Sequence, residues 1–358
     1  MPSRKGAAVR VVVIGATGNV GTAVLSRLHS VPYVTELVGV ARRLPDASVE
    51  PYLGASWYSI DVSDPVDWPR LERVLAGADA VIHLAWALQP NRDERAMRRT
   101  NVRGTAAVLA AAAAVNVPHV LVASSVGAYS MGPKRRRVDE NWPTGGIHTS
   151  HYSRHKAANE RALDLFEADH PEIVVTRLRA GLVFQRNAGL EVASLFLGSR
   201  FPTRWLKWVR PRVLPLPSQA IVQAVHARDL ADAYWRAIDR RAAGAFNIAA
   251  EPVLDPAAIA RAVGATRTIP IRRAVARLIV QAGWRLHVQA MDPGWLDIAV
   301  TVPVMSTDRA RRELGWRPTV SSTEALAEIV EGMADRTRVQ AAPPLAGSPN
   351  GVKVARNR

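Results

Sequence analysis

Two side chains in the stretch His151-Tyr152-Ser153-Arg154-His155-Lys156 have the types and spacing to move a proton. On a helix, Tyr152 and Lys156 lie one above the other on the same face. An ammonium near a phenol favours phenolate and lowers the phenol pKa from its ordinary value of about 10. A phenol tuned toward neutrality can exchange a proton with an alcohol or carbonyl oxygen. With six Tyr and five Lys in 358 residues, random placement yields roughly 0.1 such pairs. The competing reading is a helix-surface pair of no consequence, and the context has to decide.

The elements that would position this pair read as alternating strands and helices. Val9 to Ile14 is a short β-branched run of the buried parallel type. It ends in Gly15-Ala16-Thr17-Gly18-Asn19-Val20-Gly21, followed by helical spacing of Val20, Val24, Leu25 and Leu28. In a strand–turn–helix the first glycine permits the turn, the second close approach of a pyrophosphate, and the third tight helix packing. The helix N-terminus then favours phosphate. Glu36 to Ala41 reads as a second strand that ends in Arg42-Arg43, with no acid to grip a ribose 2′-hydroxyl. An Arg there accommodates a 2′-phosphate, which favours NADP over NAD; the alternative is a pair of solvated charges. Further strands are expected at 55–60, 80–84, 117–123 and 173–178. Helices are expected at 65–76, 92–116 and 151–169. This order indicates an α/β fold with a doubly wound parallel sheet.

Bulk properties exclude several classes. The chain has 48% hydrophobic and 22% charged residues, as soluble globular proteins do. It has no Cys, so disulfides, thiol nucleophiles and Cys-based zinc sites are excluded, and no metal is expected. No apolar run is long enough to span a membrane and no signal-peptide core follows the basic start, so a cytoplasmic protein is expected. The net charge of +16 comes almost wholly from Arg spread along the chain. Its densest groups are Lys134-Arg135-Arg136-Arg137 and Arg309 to Arg312, and this dispersion argues against a nucleic-acid partner.

Taken together, the residues resemble the extended short-chain dehydrogenase/reductases, the NAD-dependent epimerase/dehydratase group. The matches run in order from about residue 9 to 335. They begin with the Gly15-x-x-Gly18-x-x-Gly21 turn, Asp61-Val62, His83-Leu84-Ala85 and Asn101-Val102-x-Gly104-Thr105. Ser124-Ser125 with Tyr129, Asp139-Glu140-x-x-Pro143, and Tyr152-x-x-x-Lys156 with Glu160 follow. His226-Ala227-Arg228-Asp229, Phe246-Asn247-Ile248 and Leu314-Gly315-Trp316-x-Pro318 complete the series. The resemblance implies a Rossmann domain over 9–186 that also receives 218–250. It implies a smaller, discontinuous substrate-binding cap from 187–217 and 251–335, with 1–8 and 336–358 as flexible tails.

The resemblance also implies roles. Ser125 would hydrogen-bond the reacting oxygen, Tyr152 would be the acid/base, and Lys156 would bind the nicotinamide ribose and depress the Tyr152 pKa. Gly15, Thr17, Gly18, Asn19, Val20 and Gly21 would form the pyrophosphate turn, Asp61 and Val62 would contact adenine, and Leu84 and Ala85 would line the cleft. Asn101 would support the site from its helix. The family's Arg-Pro-x-x-x-Tyr-Gly-Pro segment is here Arg179-Ala180-Gly181-Leu182-Val183-Phe184-Gln185, which leaves Val183, through its backbone, as the contact to the nicotinamide amide. Val126-Gly127 stand where sugar-nucleotide dehydratases carry Asp-Glu, which argues against elimination of water. A homodimer through helices 92–116 and 151–169 is the assembly the resemblance implies.

The cap sequence leaves the substrate open. In 201–212, Arg204, Lys207, Arg210 and Arg212 suit a diphosphate, whereas Phe201, Trp205 and Trp208 suit an apolar pocket. Residues 271–290 read as an amphipathic helix, either a packing or lid helix or one that meets lipid. The expected activity is hydride transfer between NAD(P) and a secondary alcohol or ketone. Its alternatives are a nucleotide-sugar epimerase that retains NAD and a non-catalytic NAD(P)-binding regulator. Such regulators commonly lose the Tyr or Lys that this chain keeps.

Overall fold

The computed structural model describes residues 8–89, 92–196 and 212–345. The first half alternates as expected: β1 (Val9–Ile14), α1 (Asn19–His29), β2 (Val34–Ala41), β3 (Ser56–Ser59), α2 (Trp68–Leu75) and β4 (Ala80–His83). Then come α3 (Glu94–Arg98), α4 (Gly104–Ala114), β5 (His119–Ser125), β6 (Arg137–Val138), α5 (His151–Asp169) and β7 (Val174–Ala180). The remainder runs β8 (Leu182–Phe184), α6 (Gly189–Phe196), β9 (Val213–Leu216), β10 (Ala224–His226), α7 (Ala227–Arg240) and β11 (Gly244–Ile248). It closes with α8 (Pro256–Ala262), β12 (Arg267–Pro270), α9 (Arg273–Arg285), α10 (Pro293–Thr301), β13 (Val304–Met305), α11 (Asp308–Glu313) and α12 (Ser322–Asp335).

The main sheet is parallel, seven-stranded and ordered β11-β7-β5-β4-β1-β2-β3. Its central strands β1, β4 and β5 are rich in Val and Ile because both faces are buried, whereas the edge strand β3 is largely exposed. In β1, Val11 and Val13 pack with Leu25, Leu28 and Tyr234 on one side. Val12 and Ile14 pack with Leu71, Leu75 and Val108 on the other. Chain order reverses between β1 and β4, and a cleft at the carboxyl ends of the strands is expected at such a switch point.

The long helix expected over 92–116 is divided. Between α3 and α4, Arg99–Arg103 widen into a π-helical turn. Within that turn Asn101 clamps the loop after β4: its Oδ1 accepts from Ala87 N–H at 2.6 Å and its Nδ2 donates to Ala87 C=O at 2.9 Å. Interruptions of this kind collect at functional sites.

Two boundaries differ from the sequence reading. Ala310, Leu314, Trp316, Ala325 and Ile329 share one core with Val9, Val24 and Leu25, so α11 and α12 pack into the Rossmann core, where α12 also meets α8. The segment 336–345 is also packed: Ala342 and Leu345 are fully buried in that core. Residues 346–358 and 1–7 lie outside the described residues, as do Phe201 to Pro211 of the Trp- and Arg-rich insertion.

The cap comprises α8, α9, α10 and the parallel β9–β12 pair. The amphipathic segment is a helix, but its apolar side faces outward. Val275, Leu278, Ile279 and Leu286 are exposed, whereas Arg273 and Arg277 both bridge inward to the buried Asp297 at 3.0 Å.

Candidate active site

The cofactor end is built from the turn between β1 and α1. Gly15 has φ +85°, and a Cβ there would lie 2.7 Å from Ala85 N. A Cβ on Gly21 would lie 2.4 Å from the Gly15 carbonyl, so only glycine lets α1 pack this closely. At Gly18 the nearest contact would be 3.5 Å away, and its open side lines two adjoining cavities. One, of about 370 Å³, runs from Gly15, Gly18, Asn19, Val20 and Gly21 past Leu84 to Ser125, Tyr152, Lys156 and Val183. The other, of about 670 Å³, continues from Gly15 and Thr17 past Ala85 to Arg42 and Val62. Together they could hold an extended dinucleotide, with backbone donors at the helix start for its phosphates.

Two predicted contacts do not line either cavity. Asp61 turns its Oδ1 to the Ser63 N–H and hydroxyl, at 2.9 and 2.7 Å. Asn101 is buried and spent on Ala87. Asn19 donates from Nδ2 to the Val183 carbonyl at 3.1 Å and accepts from Gln185 Nε2 at 2.7 Å. Val183 therefore ties the glycine turn to β8.

The chemical end rests on α5. Ser150 caps the helix by accepting from Ser153 N–H, and the Ser153 hydroxyl in turn accepts from Ile147 N–H and donates to the Gly127 carbonyl. Helix α5 is thus held to the loop that follows Ser125. Ser125 accepts from Gly127 N–H at 3.0 Å, which leaves its own proton free to donate. Lys156 is buried and donates from Nζ to the Ala123 carbonyl at 2.7 Å.

Trp86, which sequence reasoning passed over, completes the group. Lys156 Nζ sits 3.6 Å from the centre of the Trp86 ring and 5.9 Å from that of Tyr152. Trp86 meets Tyr152 edge-on at 5.5 Å, and Trp295 of α10 lies 4.6 Å from Tyr152 on the cap side. The sequence signal for Trp86 was its place directly after Leu84 and Ala85 at the end of β4.

The electrostatics correct one expectation. Burial pushes the Tyr152 phenol up to about 12, and the Ser125 hydroxyl works only partly against it. Burial pushes Lys156 down to about 7, with Glu160 acting the other way. Without a bound dinucleotide, therefore, Tyr152 is not tuned toward neutrality, because burial penalises the phenolate as well as the ammonium. His83, beneath Lys156, is held down to about 3 by burial and by that lysine; its Nε2 meets the Thr105 hydroxyl at 3.0 Å.

Behind the site, the remaining matched residues form one buried network. Arg179 donates to both oxygens of Glu160 at 2.9 and 2.8 Å, to the Tyr129 hydroxyl at 3.0 Å and to the Glu140 carbonyl at 2.7 Å. Tyr129 donates to Asn247 at 2.7 Å, and Asn247 N–H donates to the Glu140 carboxylate at 2.8 Å. Glu160 also accepts from Ser124, the neighbour of Ser125. Lys134, from the densest basic run, is turned inward and donates to the Ile221 and Ala299 carbonyls at 2.7 and 2.8 Å.

Comparison with known proteins shows the family and the fold. The model of the NAD dependent epimerase/dehydratase family matches residues 11–249. No curated protein matches. Among solved structures, the UDP-glucose 4-epimerase of Thermotoga maritima superposes with a TM-score of 0.67 at 19% identity, covering 92% of this chain and 99% of that one. The UDP-glucuronic acid 4-epimerase of Bacillus cereus gives 0.68 at 15% identity, with 92% and 100% covered. The dTDP-glucose 4,6-dehydratase DesIV of Streptomyces venezuelae gives 0.68 at 20%, with 91% and 97% covered. At such identities these likenesses concern the fold.

Proposed function

The chain belongs to the NAD-dependent epimerase/dehydratase family, and from that premise we propose that it is an NAD(P)-dependent oxidoreductase acting on a secondary alcohol or ketone with an apolar body. The observation that carries this reading is that Ser125, Tyr152 and Lys156 share one cavity with the Gly15–Gly21 turn. When bound, the nicotinamide supplies or accepts the hydride. Tyr152 gives its phenolic proton to the carbonyl oxygen during reduction and takes one from the hydroxyl during oxidation. Ser125 donates a hydrogen bond to that oxygen and so opposes the charge that develops on it. Lys156, buried and charged once the dinucleotide is bound, stabilises the phenolate.

The wall opposite the cofactor turn supports an apolar substrate. Val126, Met291, Trp295, Ile298, Val302 and Pro303 line it. Gln223, also in the wall, has both amide atoms committed to Met305, at 2.6 and 3.1 Å. Among the described residues of this cavity, Lys156 is the one cation available to a diphosphate. A second reading, nucleotide-sugar epimerisation with retained NAD, is supported by the family and by the nucleotide sugars on which the structural relatives act.

The two readings are separated by incubating the purified chain with NADPH or NADH and either apolar ketones or UDP- and dTDP-sugars. Loss of nicotinamide absorbance with a ketone supports net reduction. Sugar interconversion on a dinucleotide that co-purifies with the chain overturns it in favour of epimerisation. In either case Tyr152→Phe is expected to lower kcat by about 10²–10⁴-fold while dinucleotide affinity stays within about twofold; full activity in that variant sinks the assigned role.

A further inference from the structure

The outer end of the cofactor cleft carries more positive charge than a dinucleotide turn requires. The cavity that contains Thr17 and Val62 is also lined by four arginines, Arg42, Arg43, Arg336 and Arg338. The first two directly follow β2. The second two come from the far end of the chain, from a segment expected to be a loose tail. All four are exposed, and none forms an ion pair with a carboxylate among the described residues. Other arginines nearby are paired: Arg27 with Asp232 at 3.0 Å, and Arg186 with Glu331 at 2.8 Å.

The C-terminal segment is fixed in place as a strap. Arg336 closes α12 in the left-handed conformation, and Thr337 N–H returns to the Gly332 carbonyl at 2.8 Å. The Thr337 carbonyl accepts from Leu190 N–H of α6 at 3.1 Å, and the Ala341 carbonyl accepts from Asp46 N–H at 2.9 Å. Ala342 and Leu345 are fully buried beyond it. The strap is therefore tied on one side to α6 and on the other to the loop after β2, with Arg338 between the two ties. Four unpaired cations around one cavity repel each other, and an anion placed among them removes that cost.

The position identifies the anion. With the pyrophosphate at the start of α1, the adenosine ribose of an extended dinucleotide lies at the end of β2, where the fold reads its 2′ substituent. We propose that Arg338 of the strap acts with Arg42 as a clamp on the 2′-phosphate of NADP(H), making the C-terminal segment a determinant of cofactor choice. The inference rests on the dinucleotide reading of the cleft and deepens it. Planar guanidiniums approaching from two elements suit a phosphate, and each charged hydrogen bond is strong enough to change affinity by about tenfold.

Binding alone tests the clamp. NADPH and NADH are titrated by nicotinamide fluorescence, and 2′,5′-ADP and 5′-AMP by thermal shift, against the wild-type chain and the Arg338→Ala, Arg42→Ala and Arg338→Lys variants. Expected are a preference for NADPH of tenfold or more, its loss by roughly tenfold in each alanine variant with NADH affinity unchanged, and partial recovery in Arg338→Lys. In the wild type, 2′,5′-ADP raises Tm and 5′-AMP does so less. Arg338 is exposed, so the melting temperature without ligand should not move and loss of the fold is not a confounding route. Equal wild-type affinity for the two cofactors, or equal weakening of both in Arg338→Ala, overturns the clamp and leaves the dinucleotide site standing. Failure of both dinucleotides to bind overturns both.

Discussion

The molecule uses one arrangement twice, a buried carboxylate holding two arginines, and the two copies sit in different surroundings. In the Rossmann half, Glu160 is 1% exposed and its partners Arg177 and Arg179 are each 6% exposed. In the cap, Asp297 is 0% exposed but Arg273 and Arg277 are 42% and 37% exposed. Burial opposes ionisation at both carboxylates. Arg179, Ser124 and Arg177 nevertheless hold the Glu160 carboxyl low, and Thr149, Arg273 and Arg277 do the same for Asp297. The first copy is an interior joint that locks β7 to α5 and the Ser124–Ser125 strand end, with Arg177 reaching on to Asp164 and Glu167 at the surface side. The second is a clip at the surface, whose guanidiniums have water as an alternative partner.

The largest effect should come from the interior joint. Glu160→Ala leaves Arg179 buried without its carboxylate, while Arg177 keeps Asp164 and Glu167, and breaking such a buried pair costs about 3–5 kcal/mol. Urea denaturation at pH 7 should show that loss in the midpoint, with dinucleotide affinity falling in parallel. The acid side gives a sign check. A folded pKa below the unfolded value near 4.3 contributes stability above that pH and loses it as the pH falls through the folded value. The gap between wild type and variant should therefore narrow below about pH 4. A loss under 1 kcal/mol would place Glu160 with the surface clip and erase the contrast.

The same contrast decides what could be read from sequence. Strands β1, β2, β5 and β7 were legible as short β-branched runs, although β7 also buries Arg177 and Arg179. Helix α5 was legible because its Tyr and Lys share a face. Tyr129, Glu140, Glu160 and Asn247 were visible only as separate ordered matches, since a network spanning 118 residues between Tyr129 and Asn247 leaves no local pattern. The pairing of Asp229 with Thr319 and Val320, at 2.6 to 3.0 Å, was hidden in the same way. The cap helix was harder for another reason. An apolar stripe reports that a helix has two faces, and the usual inference that the apolar face turns inward fails when a buried acid such as Asp297 recruits the basic face. The π-helical turn at Asn101 lies next to an alanine-rich run that reads as uninterrupted helix.

A change of intermediate size concerns Lys156, which connects the joint to the chemistry. Its folded pKa of about 7 lies below its ordinary value of about 10.4, so the unfolded chain binds a proton that the fold does not. Its contribution to stability should therefore rise with pH from about 7 to about 10. Lys156→Met should flatten the pH dependence of Tm in that window. Bound phosphates and ribose oxygens favour the ammonium, so dinucleotide binding at pH 8 should take up a fraction of a proton. Calorimetry in buffers of different ionisation enthalpy reads this as a slope, which Lys156→Met should abolish. The uptake matters for Tyr152, whose phenol sits at about 12 in the ligand-free fold. A slope of zero in the wild type would remove cofactor binding as the event that charges the lysine.

The smallest effect is expected at the surface clip, and it bears most directly on how the two halves divide the work. Asp297→Asn keeps the shape but withdraws the charge that draws Arg273 and Arg277 inward. The freed guanidiniums are already more than a third exposed and gain water in exchange, so global stability should fall by only about 1 kcal/mol. The local consequence should be larger than the global one, because α9 has only one buried residue, Ala276, to hold it by packing. Amide exchange should accelerate across 273–285 and remain unchanged in α5. Trp295 lies two residues before Asp297 on α10 and contacts Tyr152 at 4.6 Å, so loosening this wall should raise KM for an apolar ketone a few-fold while kcat and NADPH affinity hold. If NADPH affinity falls with KM, the clip also supports the cofactor half. If exchange in α9 does not change, packing holds the helix and the resemblance to the Glu160 joint is one of form alone.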